Sequence, residues 1–137
     1  NLESVWASGY AGNVYVNLAP NIGGVIYYPD LVKVIVARDN GEILGLETMS
    51  YLANHTERDL PSPKLTAEQA RARVSDKLNI VEVQLCLIPV GIKNETLAWE
   101  VSGTWNDLKY FVYIDVQDGE EVEMFRVIDS EQGTFIV

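Results

Sequence analysis

A chain of 137 residues with 47% hydrophobic and 22% charged residues carries enough apolar surface for a core and lies far from the composition of disordered segments. Twenty acids against ten bases give a formal charge of -10, the wrong sign for the counterion release that drives nucleic-acid binding and for adhesion to anionic lipid. One cysteine, Cys86, and one histidine, His55, exclude an internal disulfide and the usual ligand sets of zinc and haem.

The chain opens at Asn1 with no charged and apolar leader, so it reads as a trimmed piece of a longer protein. No stretch approaches the ~20 apolar residues of a spanning helix. Residues 1 to 46 read as strands broken by turns, the runs being Val14 to Leu18, Gly24 to Tyr28, Leu31 to Ala37 and Glu42 to Leu46. Asp39-Asn40-Gly41 between the last two runs predicts a hairpin with a type I′ turn, which needs positive φ at both central residues. Glu47 to His55 suits a short helix, and Leu60-Pro61-Ser62-Pro63 is the best linker, because two prolines remove donors and force extended geometry.

Thr66-Ala67-Glu68-Gln69 has the hydroxyl and carboxamide spacing of a capping box. Ala67, Ala70, Val74 and Leu78 then share one stripe, predicting a helix from Ala67 to Leu78 that lays a small-residue face on a sheet. From Ile80 the period becomes two: Val81, Val83, Leu85 and Leu87 alternate with Glu82, Gln84 and Cys86, and strands follow at Leu97 to Val101, Tyr110 to Val116 and Glu121 to Ile128. Sequons at Asn54 and Asn94 would matter only in a eukaryotic secreted protein.

Two internal matches suggest a repeat. Val14 to Pro20 resembles Val83 to Pro89 in apolar pattern and closing proline, and Val34 to Leu44 with its Asn40-Gly41-Glu42 turn resembles Val112 to Val122 with its Asp118-Gly119-Glu120 turn. The residues before Gly12 are too few for a helix and its connection. The first copy is therefore expected to lack its helix, which exposes an apolar sheet face. That face must be covered by the second module, by the 47 to 55 segment or by self-association with another chain.

No residue set commits to catalysis or to a ligand. His55 lies among Glu57, Arg58 and Asp59, a setting for a metal or an acid/base pair, yet a cation at a helix C-terminus explains it without a ligand. Cys86 has no second cysteine and no sequence-near base, so a small hydrophobe is the better reading. The two glycine turns fail as calcium loops, because an EF-hand register puts Val36 and Ile114 where a carboxylate is needed. Glu100 with Asp115 or Glu123 could pair for sugar hydrolysis at a suitable separation, though solvated carboxylates are the default on an acidic strand face. No Walker, Gly-x-Ser-x-Gly or Gly-x-Gly-x-x-Gly motif occurs. Catalytic, cofactor and metal residues are accordingly expected to be none. Residues 95 to 131 hold ten acids, among them Glu120, Glu121, Glu123 and Glu131, against Lys109 and Arg126. Residues 64 to 77 are net basic through Lys64, Arg71, Arg73 and Lys77. This asymmetry suits solubility and helix-to-sheet pairing, or a surface that steers a basic partner.

The capped helix, the antiparallel strands, the aromatic strand at Trp99 and the closing run Tyr113 to Glu120 resemble the PepSY domain. Tyr28-Pro29-Asp30, Ala37 to Gly45, Tyr51 to His55 and Pro61 to Thr66 are similar to the C-terminal region of the YpeB family of spore germination proteins. The fold so implied is α+β, with tandem PepSY-like repeats, each a helix on a small antiparallel sheet, the first lacking its N-terminal helix. The expected organisation is a first strand portion with a short helix at 1–58, a Pro-rich linker at 59–64 and a complete second repeat at 65–137. The resemblance implies a non-enzymatic interaction module outside the spore inner membrane, near the cortex, held by an upstream anchor. It also implies a partner, a SleB-like cortex-lytic enzyme that the module localises, stabilises or restrains. The rival reading is a PepSY-type inhibitor or intramolecular chaperone of a secreted peptidase.

Overall fold

The computed structural model describes residues 1–130 and 133–137, and its ten strands join in one sheet. The first half supplies β1 (Leu2–Tyr10), β2 (Asn13–Ile22), β3 (Val25–Tyr27), β4 (Val32–Ala37) and β5 (Ile43–Glu47). The second supplies β6 (Asn79–Val90), β7 (Asn94–Trp105), β8 (Leu108–Asp115), β9 (Glu121–Ser130) and β10 (Gly133–Ile136). A 3-10 turn at Tyr28–Asp30 follows β3, and two short helices, α1 (Met49–Asn54) and α2 (Ala67–Arg71), lie between β5 and β6. No helix among the described residues is long and apolar enough to cross a membrane.

Each half is a four-stranded antiparallel meander. β1, β2, β4 and β5 pair in that order, as do β6, β7, β8 and β9. This corrects the internal alignment: β2 takes the place of β7 in its meander, not that of β6, because residues 2–10 form a strand of their own. Apolar alternation closed by a proline was too common a pattern to fix the match. The correspondence of β4 and β5 with β8 and β9 fits this topology, down to the turn. Gly41 N donates to Ala37 O and Glu42 N to the Asn40 side chain, just as Gly119 N donates to Asp115 O and Glu120 N to the Asp118 side chain.

The two meanders are not separate sheets, as the sequence had suggested. The connection from β2 to β4 carries β3, which pairs parallel to β6 through Val25–Leu85, Ile26–Cys86 and Tyr27–Leu87 and so covers an edge that would otherwise be open. At the far side β1 pairs with β10 as well as with β2. Every strand except β4 and β5 thus belongs to a closed circuit of pairings. Inside it, Ala19, Ile26, Cys86, Ile88, Ala98 and Tyr113 form a buried cluster with Val5, Tyr28, Phe111 and Phe125 against it. The second meander is therefore what covers the first one's inner face.

Hairpin chemistry departs from expectation too. Among residues 38–41 only Gly41 has positive φ, so that loop is not a type I′ turn. Ala11-Gly12, Gly23-Gly24 and Asn106-Asp107 have positive φ at both residues and link directly paired positions, which is the I′ geometry.

The outer face of the second meander is covered by α2 and the strap before it. The capping box is present: Gln69 N donates to Thr66 Oγ1 at 3.2 Å and Thr66 N to Gln69 Oε1 at 2.8 Å. The helix is shorter than the predicted 67 to 78, since beyond Arg71 the chain continues in turns such as Arg73 N to Ala70 O and Leu78 N to Ser75 O. Ser75 accepts from Lys77 N, a local bond that competes with the helical ladder. The apolar stripe still does its work, with Ala70, Val74 and Leu78 packing on Val112, Ile114 and Trp99. Leu60 packs with Leu87, Leu97 and Val116, Lys64 N and Leu65 N donate to Val116 O, and Trp99 Nε1 donates to Leu65 O at 2.9 Å.

Candidate functional site

Glu100 sits in the middle of β7, 2% exposed, with Gln84 of β6 and Tyr113 of β8 as its cross-strand neighbours. Strand pleating puts all three side chains on the inner face. Gln84 Nε2 donates to Glu100 Oε1 at 2.7 Å, Tyr113 Oη donates to Oε2 at 2.7 Å, and Tyr28 Oη, from the 3-10 turn, donates to the same oxygen at 2.5 Å. Burial, reinforced by the Glu100 charge, pushes both phenols far above their usual range. They remain donors at any physiological pH. Burial and the same charge also push the Cys86 thiol up, so it packs as a small hydrophobe and supplies no thiolate. The expectation of solvated acids on this strand is thus corrected at Glu100, which faces the closed interior.

A cavity of about 250 Å³ adjoins the cluster, lined chiefly by Trp6, Tyr28, Phe111, Tyr113, Phe125 and Glu100, with Glu123 also on its wall. Glu123 stands opposite Tyr113 in the β8–β9 pairing. Asp115 is placed elsewhere, with its Oδ1 accepting from Gln117 N in its own turn and its side flanking Arg58 and Leu60 in a different hollow. Of the two pairings considered for sugar hydrolysis, the fold brings together Glu100 and Glu123. The Glu100 oxygens, however, already accept from Tyr28, Tyr113 and Gln84.

A second cluster joins the two halves of the chain. Asp30, fully buried, accepts a bidentate pair from Arg58, Nη2 to Oδ1 at 2.9 Å and Nη1 to Oδ2 at 3.0 Å. The same guanidinium donates to Glu95 of β7 through Nε at 2.7 Å and Nη2 at 3.0 Å, and to Asn54 O at the end of α1. It also lies over the Tyr27 ring. Hydrogen bonds to Asp30 and Glu95 hold Arg58 firmly charged. His55 stacks on Tyr51 and places Nδ1 2.8 Å from Asp30 Oδ2. As expected, His55 ends a helix, but its partner is a carboxylate rather than terminal carbonyls. The group spans the 3-10 turn, α1 and β7, and its geometry is that of a structural clamp.

β5 ends the sheet as an edge strand and exposes Ile43, Leu44 and Leu46, and α1, which follows it in the chain, exposes Met49 and Leu52, each more than half accessible. Glu120 and Glu121 are exposed, while Glu131 lies outside the described residues. Among the described residues, no group of three or more His, Cys, Asp or Glu is placed to hold a metal ion. The sequence reading missed Tyr28, Asp30, Arg58 and Glu95. A glutamate at an inward position of an otherwise apolar strand, Leu97 to Val101, was the available sign of the Glu100 cluster.

Comparison with known proteins gives a consistent result. Residues 1–61 match the family described as YpeB sporulation, PepSY1 and PepSY2 domains, and residues 64–125 match the peptidase propeptide and YPEB domain family. A sporulation protein YpeB from Halalkalibacterium halodurans is 44% identical over 104 residues, covering 76% of this chain and 23% of the relative. One from Oceanobacillus iheyensis is 38% identical over 115 residues, covering 84% and 26%. The chain spans about a quarter of the length of these curated relatives. The solved Bacillus megaterium YpeB C-terminal domain superposes with a TM-score of 0.86 at 26% identity, over 93% of this chain and 57% of that one.

Proposed function

This chain belongs to the YpeB sporulation protein family, to its C-terminal region of PepSY domains, and from that premise we propose that it is a non-enzymatic interaction module acting in spore germination. In this reading it localises, stabilises or restrains a SleB-like cortex-lytic enzyme, at the outer side of the spore inner membrane, under an anchor upstream of this region. The three-part organisation at 1–58, 59–64 and 65–137 belongs to the same proposal.

The observation that carries the reading is the edge strand β5 and the helix α1 after it. Ile43 is 70% exposed, Met49 74% and Leu52 75%. Large apolar side chains exposed on an open edge strand, and on the short helix that follows it in the chain, suit contact with another protein. By contrast, the buried ionisable groups are engaged within the fold: Glu100 by three donors and Asp30 by Arg58 and His55. The acidic end, Glu120 and Glu121, supplies long-range attraction to a basic partner.

Titrating the full-length parent protein with purified cortex-lytic enzyme tests this. Saturable binding is expected, weakened at least tenfold by Ile43→Glu or Leu46→Glu, and no muropeptide release by the parent protein alone. Muropeptide release without the enzyme, or absence of binding, overturns the reading. The rival, an inhibitor or chaperone of a secreted peptidase, draws support from the description of the family matched by residues 64–125, and inhibition of a peptidase in the same assay would favour it.

A further inference from the structure

We propose that the interior cavity is a binding site for a small organic cation, an ammonium or guanidinium group on an apolar stem. The inference stands apart from the docking edge and needs no partner enzyme.

Three features of the cavity point to that chemistry. The first is charge. Glu100 is buried beside a cavity of about 250 Å³, and Glu123 stands on the same wall. None of the described lining residues is a lysine, arginine or histidine. The donors to Glu100 are two phenols and an amide, all neutral, so the carboxylate is hydrogen-bonded without being paired to a cation. Arg58, by comparison, satisfies Asp30 and Glu95 in a separate cluster. A buried acid of this kind gains most from an ion of opposite sign.

The second feature is the wall. Trp6 and Tyr28 lie with ring centroids 6.1 Å apart, Tyr28 and Tyr113 at 6.5 Å, and Tyr113 and Phe125 at 5.7 Å, the last two edge to face. These four aromatic rings thus line one cavity beside a carboxylate, a lining that suits a weakly hydrated organic cation far better than a metal ion. Val5, Leu31 and Ile88 line the remainder and accommodate an aliphatic stem.

The third is access. The lining includes Pro89, which is exposed, and Ile136, 37% exposed, so the cavity has a mouth while Glu100 stays at its floor. A guest can therefore enter stem or head first without unfolding the circuit of strands.

Two sources share this chemistry: a free amine or guanidine, and a lysine or arginine side chain presented by a peptide. The test uses n-butylammonium and n-butylguanidinium chloride in one arm and blocked tripeptides with a central lysine or arginine in the other. n-Butanol and a norleucine tripeptide serve as neutral controls. Binding is followed by amide and indole chemical shifts of the 137-residue protein. The cations of at least one arm are expected to bind at least tenfold more tightly than their neutral counterpart, shifting Trp6, Phe111 and Tyr113. The arm that responds identifies the source. Glu100→Gln should abolish the preference for the cation while leaving butanol binding in place. Should that variant fail to fold, Glu123→Gln at the wall should reduce cation affinity severalfold. Equal binding of cation and alcohol, shifts confined to residues outside the cavity, or no binding in either arm overturns the proposal.

Discussion

Withdrawing Glu100 from water removes its hydration, and Tyr28, Tyr113 and Gln84 replace that hydration with three directed donors. Taking one donor away leaves a buried carboxylate short of a partner, so Tyr113→Phe should destabilise by about 1–3 kcal/mol in chemical denaturation. The raised phenol pKa values of Tyr28 and Tyr113 also set a pH dependence. The folded state favours the protonated phenol, so this stability is fully present below the unfolded tyrosine pKa of about 10 and is lost as pH rises beyond it. Unfolding should therefore set in above about pH 10, with a fraction of the phenolate absorbance appearing only as the chain unfolds. That fraction should shrink in Tyr28→Phe and Tyr113→Phe. Arg58→Ala strands Asp30 without its bidentate partner and should cost about 3–5 kcal/mol by the same measurement. Arg58→Lys should recover little of it, because an ammonium cannot serve Asp30 and Glu95 as a planar fork does. The partners within these clusters were illegible in the sequence because they are distant in it: Arg58 lies 28 positions from Asp30, and Tyr28 lies 72 from Glu100. Local spacing carries no trace of such pairs.

Elements were more legible than residues, wherever a local signal had a local cause. The Thr66 capping box, the short helix after Glu47 and the strands β7 and β8 all depend on neighbours a few positions away, and each is present. The end of α2 was misplaced because its stripe, Ala70, Val74 and Leu78, packs on the sheet equally well from a series of turns. β1 was missed because Leu2 to Tyr10 lacks a clean period of two, its pairing with β2 being broken by a bulge between Ser4 and Trp6. Gly119 shows how an element end is held. Its φ of 74° disfavours a side chain, and a Cβ there would lie 2.7 Å from Arg73 Cζ and 2.9 Å from Leu65 Cδ2. Gly119→Ala should therefore destabilise by more than about 1 kcal/mol, readable as a lowered melting temperature. Gly41→Ala has open space around it and should cost less, the difference between the two reporting the packing of the strap and α2 against the turn.

For the whole molecule, the family and the antiparallel halves were visible in the sequence, while the way the halves unite was not. That union rests on β3 beside β6 and on β1 beside β10, pairings between segments far apart in the chain, and no local pattern specifies them. It converts two small sheets into one closed circuit of strands with Glu100 and its cavity inside, and it leaves the edge strand β5, with α1 after it in the chain, exposing apolar side chains. The central claim is that this edge receives a protein partner. Amide hydrogen exchange of the protein, alone and mixed with a purified cortex-lytic enzyme, tests it most directly. The account predicts slowed exchange on binding across residues 43–54, with Ile43→Glu removing the effect. Protection confined to other segments of this region, with residues 43–54 exchanging as fast as in the free protein, would contradict it.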